Sequence, residues 1–248
     1  MRFFFEIAYH GGNYNGWQSQ QNALGVQSVV EDVMSKVFRT QVNIVGSGRT
    51  DTGVHCEQQF FHVDLPDDFD RERLMQKLNS FLPKDIAIRS IRPVKPEASA
   101  RYDAVERTYR YQITRVKNPF LSEFSLHYFK PLEIGNMNRA ASLLVGEHDF
   151  QCFSKVKTDV NHFICDVRKA GWTEKDDELI FRISANRFLR GMVRAIVGTL
   201  LDVGTGRISY KEFVSILRSR DRRNAGANAP AHALFLERVR YPSTIFLK

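Results

Sequence analysis

Val45-Gly46-Ser47-Gly48-Arg49-Thr50-Asp51-Thr52-Gly53-Val54-His55 places three glycines within eight residues, around small polar side chains and one carboxylate. Asn43-Ile44-Val45 ahead of it is β-prone, and Gln58 to Asp64 behind it carries Phe60, Phe61 and Val63. The stretch therefore reads as a loop between two strands, a place where a rigid sheet presents reactive side chains. Gly48 and Gly53 allow positive φ and the close approach of another chain or a ligand. Arg49, two residues before Asp51, favours the charged carboxylate if the two meet. The same residues also fit a plain polar turn in which the Asp caps its own backbone.

Composition sets the frame around this loop. The chain has 248 residues, 43% hydrophobic and 26% charged, with 19 phenylalanines and a formal net charge of +8. That length buries a sizeable core, as one large domain or two small ones. The basic balance suits a polyanionic partner, nucleic acid being the commonest. Met1-Arg2 runs straight into Phe3-Phe4-Phe5-Glu6-Ile7, too short and too soon charged for a secretory segment. No apolar run approaches a membrane span. The three cysteines, Cys56, Cys152 and Cys165, form no disulfide framework, so a reducing, cytoplasmic setting is expected.

Periodicity supplies the elements. Arg2 to Tyr9 reads as a buried strand, followed by the turn-rich His10-Gly11-Gly12-Asn13-Tyr14-Asn15-Gly16-Trp17-Gln18. Trp17 is expected in the core, with base stacking as the alternative. Val26, Val29, Val30, Val33, Met34, Val37 and Phe38 recur at helical spacing. A second helix carries Leu74, Met75, Leu78 and Phe81 and stops at Pro83; Ile86, Ile88 and Ile91 mark another strand. Arg107 to Ile113 alternates as a strand with Tyr109 and Tyr111 on one face. A third helix follows over Ile134, Met137, Ala141, Leu144 and Val145. A hairpin turns at Lys175-Asp176-Asp177. A longer helix is expected from near Arg187, burying Phe188, Met192, Val193, Ile196, Leu200 and Leu201. A last helix covers roughly Ser209 to Leu217, and Ala229 to Leu234 begins the final strand. Arg218, Arg220, Arg222 and Arg223 flank either an RNA path or a solvated helix end.

Several of these blocks resemble the bacterial tRNA pseudouridine synthase A family. Gly48-Arg49-Thr50-Asp51-Thr52-Gly53-Val54-His55 is similar to its active-site loop, Gly-Arg-Thr-Asp-Ala-Gly-Val-His, whose Asp is the nucleophile and matches Asp51. Thr52 and Cys56 depart from the usual residues without removing a group the reaction needs. Gly16-Trp17-Gln18 matches a family segment, with His10 where an Asp is usual; Ala100-Arg101-Tyr102 and Gly146 to Phe150 match others. The strand at Arg107 resembles one whose first Tyr, here Tyr109, contacts the target uridine. Phe188-Leu189-Arg190-Gly191-Met192-Val193-Arg194 resembles a motif whose last Arg pairs with the catalytic carboxylate. Ala233 stands where relatives carry Gly.

The resemblance implies an α+β fold in which two similar halves, 1–103 and 104–248, join mostly antiparallel sheets into one, with helices outside and a central cleft. It implies Asp51, Tyr109 and Arg194 as catalytic residues, and Arg49, Thr50, Gly53, His55, Phe188 and Met192 as residues that bind the substrate. It further implies a homodimer gripping one tRNA, with target uridines flipped out at about positions 38 to 40 of the anticodon stem-loop. An isomerisation of this kind needs no redox cofactor, nucleotide or metal, so none is expected.

Five other readings compete with this one. His148, Cys152, His162 and Cys165 could form a zinc set, but the paired spacings of structural zinc are missing. Gly46-x-Gly48-x-x-x-x-Gly53 lacks the Lys-Ser/Thr of a phosphate loop. An aspartyl-phosphate at Asp51 lacks its second Asp. A non-catalytic RNA-binding protein on the same scaffold, or a synthase for a different RNA, would share the basic charge.

Overall fold

The computed structural model describes residues 1–20, 23–156 and 160–247. The chain divides into two compact units, one of residues 1–105 with 236–248 and one of residues 106–235. Among the described residues, ten strands and five α-helices make an α+β architecture.

The first unit begins with β1 (Arg2–Tyr9) and α1 (Val26–Phe38), continues through β2 (Val45–Gly46), β3 (His55–Asp64), α2 (Arg71–Phe81) and β4 (Ile86–Val94), and takes in the greater part of the last strand, Leu234–Arg240. β1 is the central strand, pairing antiparallel with β3 on one side and β4 on the other. Its three consecutive phenylalanines, Phe3, Phe4 and Phe5, are all fully buried, because both faces of the strand are covered. Phe5 stacks on Phe61 at 5.0 Å and Phe3 meets Phe69 at 5.2 Å. Phe4, pointing the other way, meets Tyr241 edge-on at 5.1 Å. This is why an alternating pattern is absent from β1 and a continuous apolar run replaces it.

α1 buries Val26, Val30, Val33 and Met34, one stripe at 3.6-residue spacing. α2 is capped by Asp70, whose side chain accepts the Arg73 amide at 3.0 Å, and ends at Phe81, two residues before Pro83. The strand ahead of the Asp loop is shorter than the β-prone residues predict. Only Val45 and Gly46 pair, with His62 and Phe61.

The second unit contains β5 (Glu106–Thr114), β6 (Leu126–His127), α3 (Ile134–Ser142), β7 (Gly146–Asp149), β8 (Ile164–Lys175), β9 (Glu178–Ala185), α4 (Met192–Gly204) and α5 (Tyr210–Ser219). The last strand, β10 (Leu234–Arg240), opens in this unit with Leu234 and Phe235. β5, β9, β8 and β7 pair antiparallel in that order, and the two-residue β6 lies parallel to β5. The β8–β9 turn falls at Asp176 and Asp177, with Asp176 at φ 52, a conformation Asp tolerates. α5 opens with a capping box: Ser209 Oγ accepts the Glu212 amide at 3.3 Å and Glu212 Oε2 accepts the Ser209 amide at 2.7 Å.

Further boundaries depart from the sequence reading. α3 ends at Ser142, leaving Leu144 and Val145 beyond it. α4 begins at Met192, not near Arg187, because Gly191 caps it at φ 73, a left-handed conformation that breaks the helical run. Phe188 therefore sits in the turn before the helix and is only half-buried, whereas Met192, Val193, Ile196, Leu200 and Leu201 are core. The final strand likewise starts at Leu234, after a short 3-10 turn at Ala231–Ala233.

Candidate active site

Asp51 lies half-buried at the crest of the β2–β3 connection. The loop is tied at several points. Ser47 N–H donates to Phe60 O at 2.8 Å, and Val54 N–H donates to Asp51 O at 3.1 Å. Gly53 uses its freedom, at φ 78, and its amide donates to Tyr14 O at 3.2 Å. Gly48 does not. Its φ is ordinary and a Cβ there would meet nothing within 4 Å.

The close approaches belong instead to glycines outside the loop. The His10–Trp17 segment lies over it as a brace. A Cβ on Gly16 would stand 2.1 Å from Thr50 O, and one on Gly11 would stand 2.0 Å from Val54 O. Gly46 accepts the Trp17 indole on its bare face, a Cβ there falling 2.3 Å from Nε1. Trp17 is thereby only 2% exposed and a core residue. The brace is anchored in turn on Asp85, which accepts from Tyr14 Oη at 2.6 Å and Asn13 Nδ2 at 3.0 Å. Burial works against the Asp85 charge, but these two bonds hold its carboxyl below the usual range. Burial, with the bond to Asp85, pushes the Tyr14 phenol up.

The residues expected to line the substrate divide by direction. Arg49 is exposed, and its Nε donates to Gln18 Oε1 at 3.2 Å, an uncharged partner that leaves the guanidinium charge uncompensated by that bond. Thr50 and His55 turn inward. Thr50 is 8% exposed with its hydroxyl 2.9 Å from Tyr9 Oη; His55 is 2% exposed and its Nδ1 accepts the Gly11 amide at 3.0 Å. That bond places the proton of a neutral His55 ring on Nε2.

In the second unit, Tyr109 lies on β5 opposite Ile183 of β9, half-buried, with the Phe188 ring edge-on at 5.0 Å. The edge-on contact orients a ring at this position, as aromatic pairs prefer. Arg194 lies in the first turn of α4. Its Nε donates to Ala229 O at 2.7 Å, and its own carbonyl accepts the Ala229 amide at 3.0 Å. The Nε bond orients the guanidinium, and the backbone bond ties the head of α4 to the segment at Ala229. The 225–229 segment comes this close because α4 has Gly198, where a Cβ would fall 1.8 Å from Ala227 O. Tyr111, two residues along β5, is fully buried; burial pushes its phenol up, with the Arg194 charge acting against it.

The arginine run is mostly occupied. Arg220 pairs with Asp149 at 3.1 Å, Arg223 with Asp221 at 2.6 Å, and Arg222 donates to Ala225 O at 3.2 Å and Asn228 Oδ1 at 2.8 Å. The Arg223 bond holds the Asp221 carboxyl down to about 2. All three cysteines are free and buried; burial raises the Cys165 thiol to about 11 and the Cys152 thiol to about 12, and Cys56 higher still. Among the described residues no three His, Cys, Asp or Glu side chains gather as a metal site, and no helix is long and apolar enough to cross a membrane. Tyr9, Gln59, Tyr14 and Asp85 escaped the sequence reading. Each is an ordinary residue of a strand or turn, and only its contact with the loop or with the loop's brace marks it.

A basic α+β protein with a braced aspartate loop, a tyrosine strand and an arginine at the head of a helix matches one class of RNA-modifying isomerase. The family model described as tRNA pseudouridine synthase matches residues 7–103 and 140–242. A tRNA pseudouridine synthase A of Porphyromonas gingivalis is 48% identical, covering 99% of both chains. That of Parabacteroides distasonis is 46% identical over 99% of this chain and 98% of its own, and that of Bacillus subtilis 38% over 97% and 99%. The chain belongs to the tRNA pseudouridine synthase family.

Proposed function

We propose that this protein isomerises uridine to pseudouridine in tRNA, at about positions 38 to 40 of the anticodon stem-loop, where the target base leaves its stack to enter the site. The N1–C1′ glycosidic bond breaks, the uracil turns, and a C5–C1′ bond forms. N1 gains a proton and C5 loses one. Asp51 is the catalytic carboxylate, the nucleophile at C6 or C1′ or the base in an elimination across C1′–C2′, and each of these routes requires it ionised. Arg194 is the second catalytic residue, a guanidinium of the kind that holds a carboxylate by a bidentate contact. Tyr109 stacks on the uracil and lies near C5 when the proton departs. Arg49, with its charge uncompensated by its neutral partner, takes a phosphate of the displaced nucleotide. Gly53 and Phe188 shape the wall, Met192 backs it from the core, and Thr50 and His55 act through the loop they pin.

The halves 1–103 and 104–248 supply the nucleophile and the Tyr–Arg pair respectively. The protein works in the cytoplasm as a homodimer gripping one tRNA, without metal or cofactor. The observation that carries the reading is the Asp51 loop itself: one carboxylate, held by backbone and side-chain ties on both flanks, in a chain of this family.

The test is tritium release from tRNA carrying [5-³H]uridine, with no added metal or nucleotide. The wild type is expected to release tritium and Asp51→Ala to release none while still binding tRNA. Tight binding without release by the wild type would favour an RNA-binding protein or a different RNA target. Equal release by both would remove Asp51 from its role.

A further inference from the structure

Below the Asp51 loop, four residues close a ring of hydrogen bonds. Tyr9 Oη lies 2.9 Å from Thr50 Oγ1 and 3.4 Å from Gln59 Oε1, and Gln59 Nε2 donates to Gly48 O at 3.2 Å. Tyr9 is 4% exposed, Thr50 8% and Gln59 not at all. The directions follow from the groups. Gln59 spends an amide N–H on Gly48 O, so its oxygen faces Tyr9 and must accept. The single Tyr9 proton goes to that oxygen, and the Thr50 hydroxyl donates to Tyr9 Oη. The ring therefore runs from Thr50 through Tyr9 and Gln59 to Gly48 and returns through the backbone of Arg49. It clasps both flanks of Arg49 and ends one residue before Asp51. Both side chains belong to strands, β1 and β3, that pair with each other, so the ring transfers the rigidity of the sheet to the loop.

We propose that Tyr9 and Gln59 are positioning residues for Asp51. They touch no reacting atom. They fix the backbone from Gly48 to Thr50, and so the position of the Asp51 carboxylate and of the Arg49 guanidinium beside it. The proposal rests on the isomerase reading above. A closed ring of this kind has a recognisable behaviour: opening it at one point releases the loop, and a second cut adds little, because the two residues act as one unit. A displacement of the nucleophile by a fraction of an ångström to an ångström lowers the chemical step far more than it lowers affinity for a large RNA.

The experiment uses the full chain and three variants, Tyr9→Phe, Gln59→Leu and the double variant, in the tritium assay, with tRNA affinity and melting temperature measured alongside. Tyr9→Phe is nearly isosteric, so it decides the matter if Gln59→Leu fails to fold. Each single variant is expected to lose about tenfold or more in kcat, with KM for tRNA within about threefold of wild type and the melting temperature lower by a few degrees. The double variant is expected to lose no more than about threefold beyond the worse single one. Wild-type kcat in both single variants overturns the proposal. Losses that multiply in the double variant, or that appear in KM or in the folded fraction with kcat intact, overturn it as well, since they describe two independent structural contacts. A wild type that releases no tritium overturns the isomerase reading instead, and the two failures are told apart by that control.

Discussion

Gly16 offers the sharpest test that the brace controls the Asp51 loop. Its φ is +80 and the point where a Cβ would stand is 2.1 Å from Thr50 O and 3.1 Å from the Asp51 carbonyl carbon. Gly16→Ala therefore carries two separable penalties. The left-handed conformation costs an Ala about 1–2 kcal/mol. The clash is with backbone, which cannot swing aside as a side chain can. Restoring ordinary contact moves the Thr50 carbonyl by more than about 1 Å, and Asp51 is the next residue; a displacement of that size costs about 100-fold in the chemical step, or roughly 2.7 kcal/mol at 1.36 kcal/mol per tenfold. Gly206→Ala isolates the first penalty, because Gly206 has φ +74 with nothing within 4 Å of its Cβ point. Both variants are expected to melt lower, at about 2–4 °C per kcal/mol for a chain of this size. Only Gly16→Ala is expected to lose activity, measured as kcat for tritium release by the folded fraction. If Gly16→Ala keeps a kcat within threefold of Gly206→Ala, the brace does not set the loop and the reasoning fails.

Three further outcomes follow from the same contacts. Arg194→Lys keeps the positive charge but loses the Nε bond to Ala229 O, so kcat is expected to fall at least tenfold with tRNA affinity retained; single-turnover kinetics at wild-type rates would show that charge alone suffices. Tyr14→Phe removes the 2.6 Å bond to Asp85 and is expected to cost about 1–2 kcal/mol in denaturant unfolding and to raise the Asp85 pKa; unchanged unfolding would mean the brace is anchored elsewhere. His62 accepts the Ala100 amide on Nδ1 at 3.0 Å, and burial, with Arg2 nearby, holds its pKa below 6.5. Its folded pKa is depressed, so the unfolded chain takes the proton first: this contribution to stability is complete above pH 6.5 and is lost as pH falls through the lower folded value. An NMR titration of His62 with a midpoint at or above 6.5 would contradict it.

The elements whose side chains repeat at a fixed spacing were legible from the chain alone. Arg2–Tyr9 and Val26–Phe38 stand where their patterns put them, because a strand buried on both faces and a helix buried on one each impose a local rule on consecutive residues. β2 and β6, two residues each, carry no period to read, and exist only because β3 and β5 offer them partners. The start of α4 was misplaced since the apolar period runs on through Phe188; Gly191 breaks it by backbone conformation, which a hydropathy pattern does not record.

The candidate site divides in the same way. Asp51, Tyr109 and Arg194 were named from short motifs through their resemblance to a known family; residue type and spacing alone left Asp51 open as a polar turn. The Arg run looked like one feature, yet Arg220, Arg222 and Arg223 are each tied to a protein group that sequence spacing alone does not reveal. What pins Asp51 lies far along the chain. Tyr9 is 41 residues from Thr50 and 50 from Gln59, Tyr14 is 71 from Asp85, and Gly16 owes its necessity to a carbonyl on another loop. A residue's own type and its neighbours determine which chemistry it carries. Whether that chemistry is aimed depends on contacts between distant segments, and those come into being only when the sheet packs and brings them within hydrogen-bond reach.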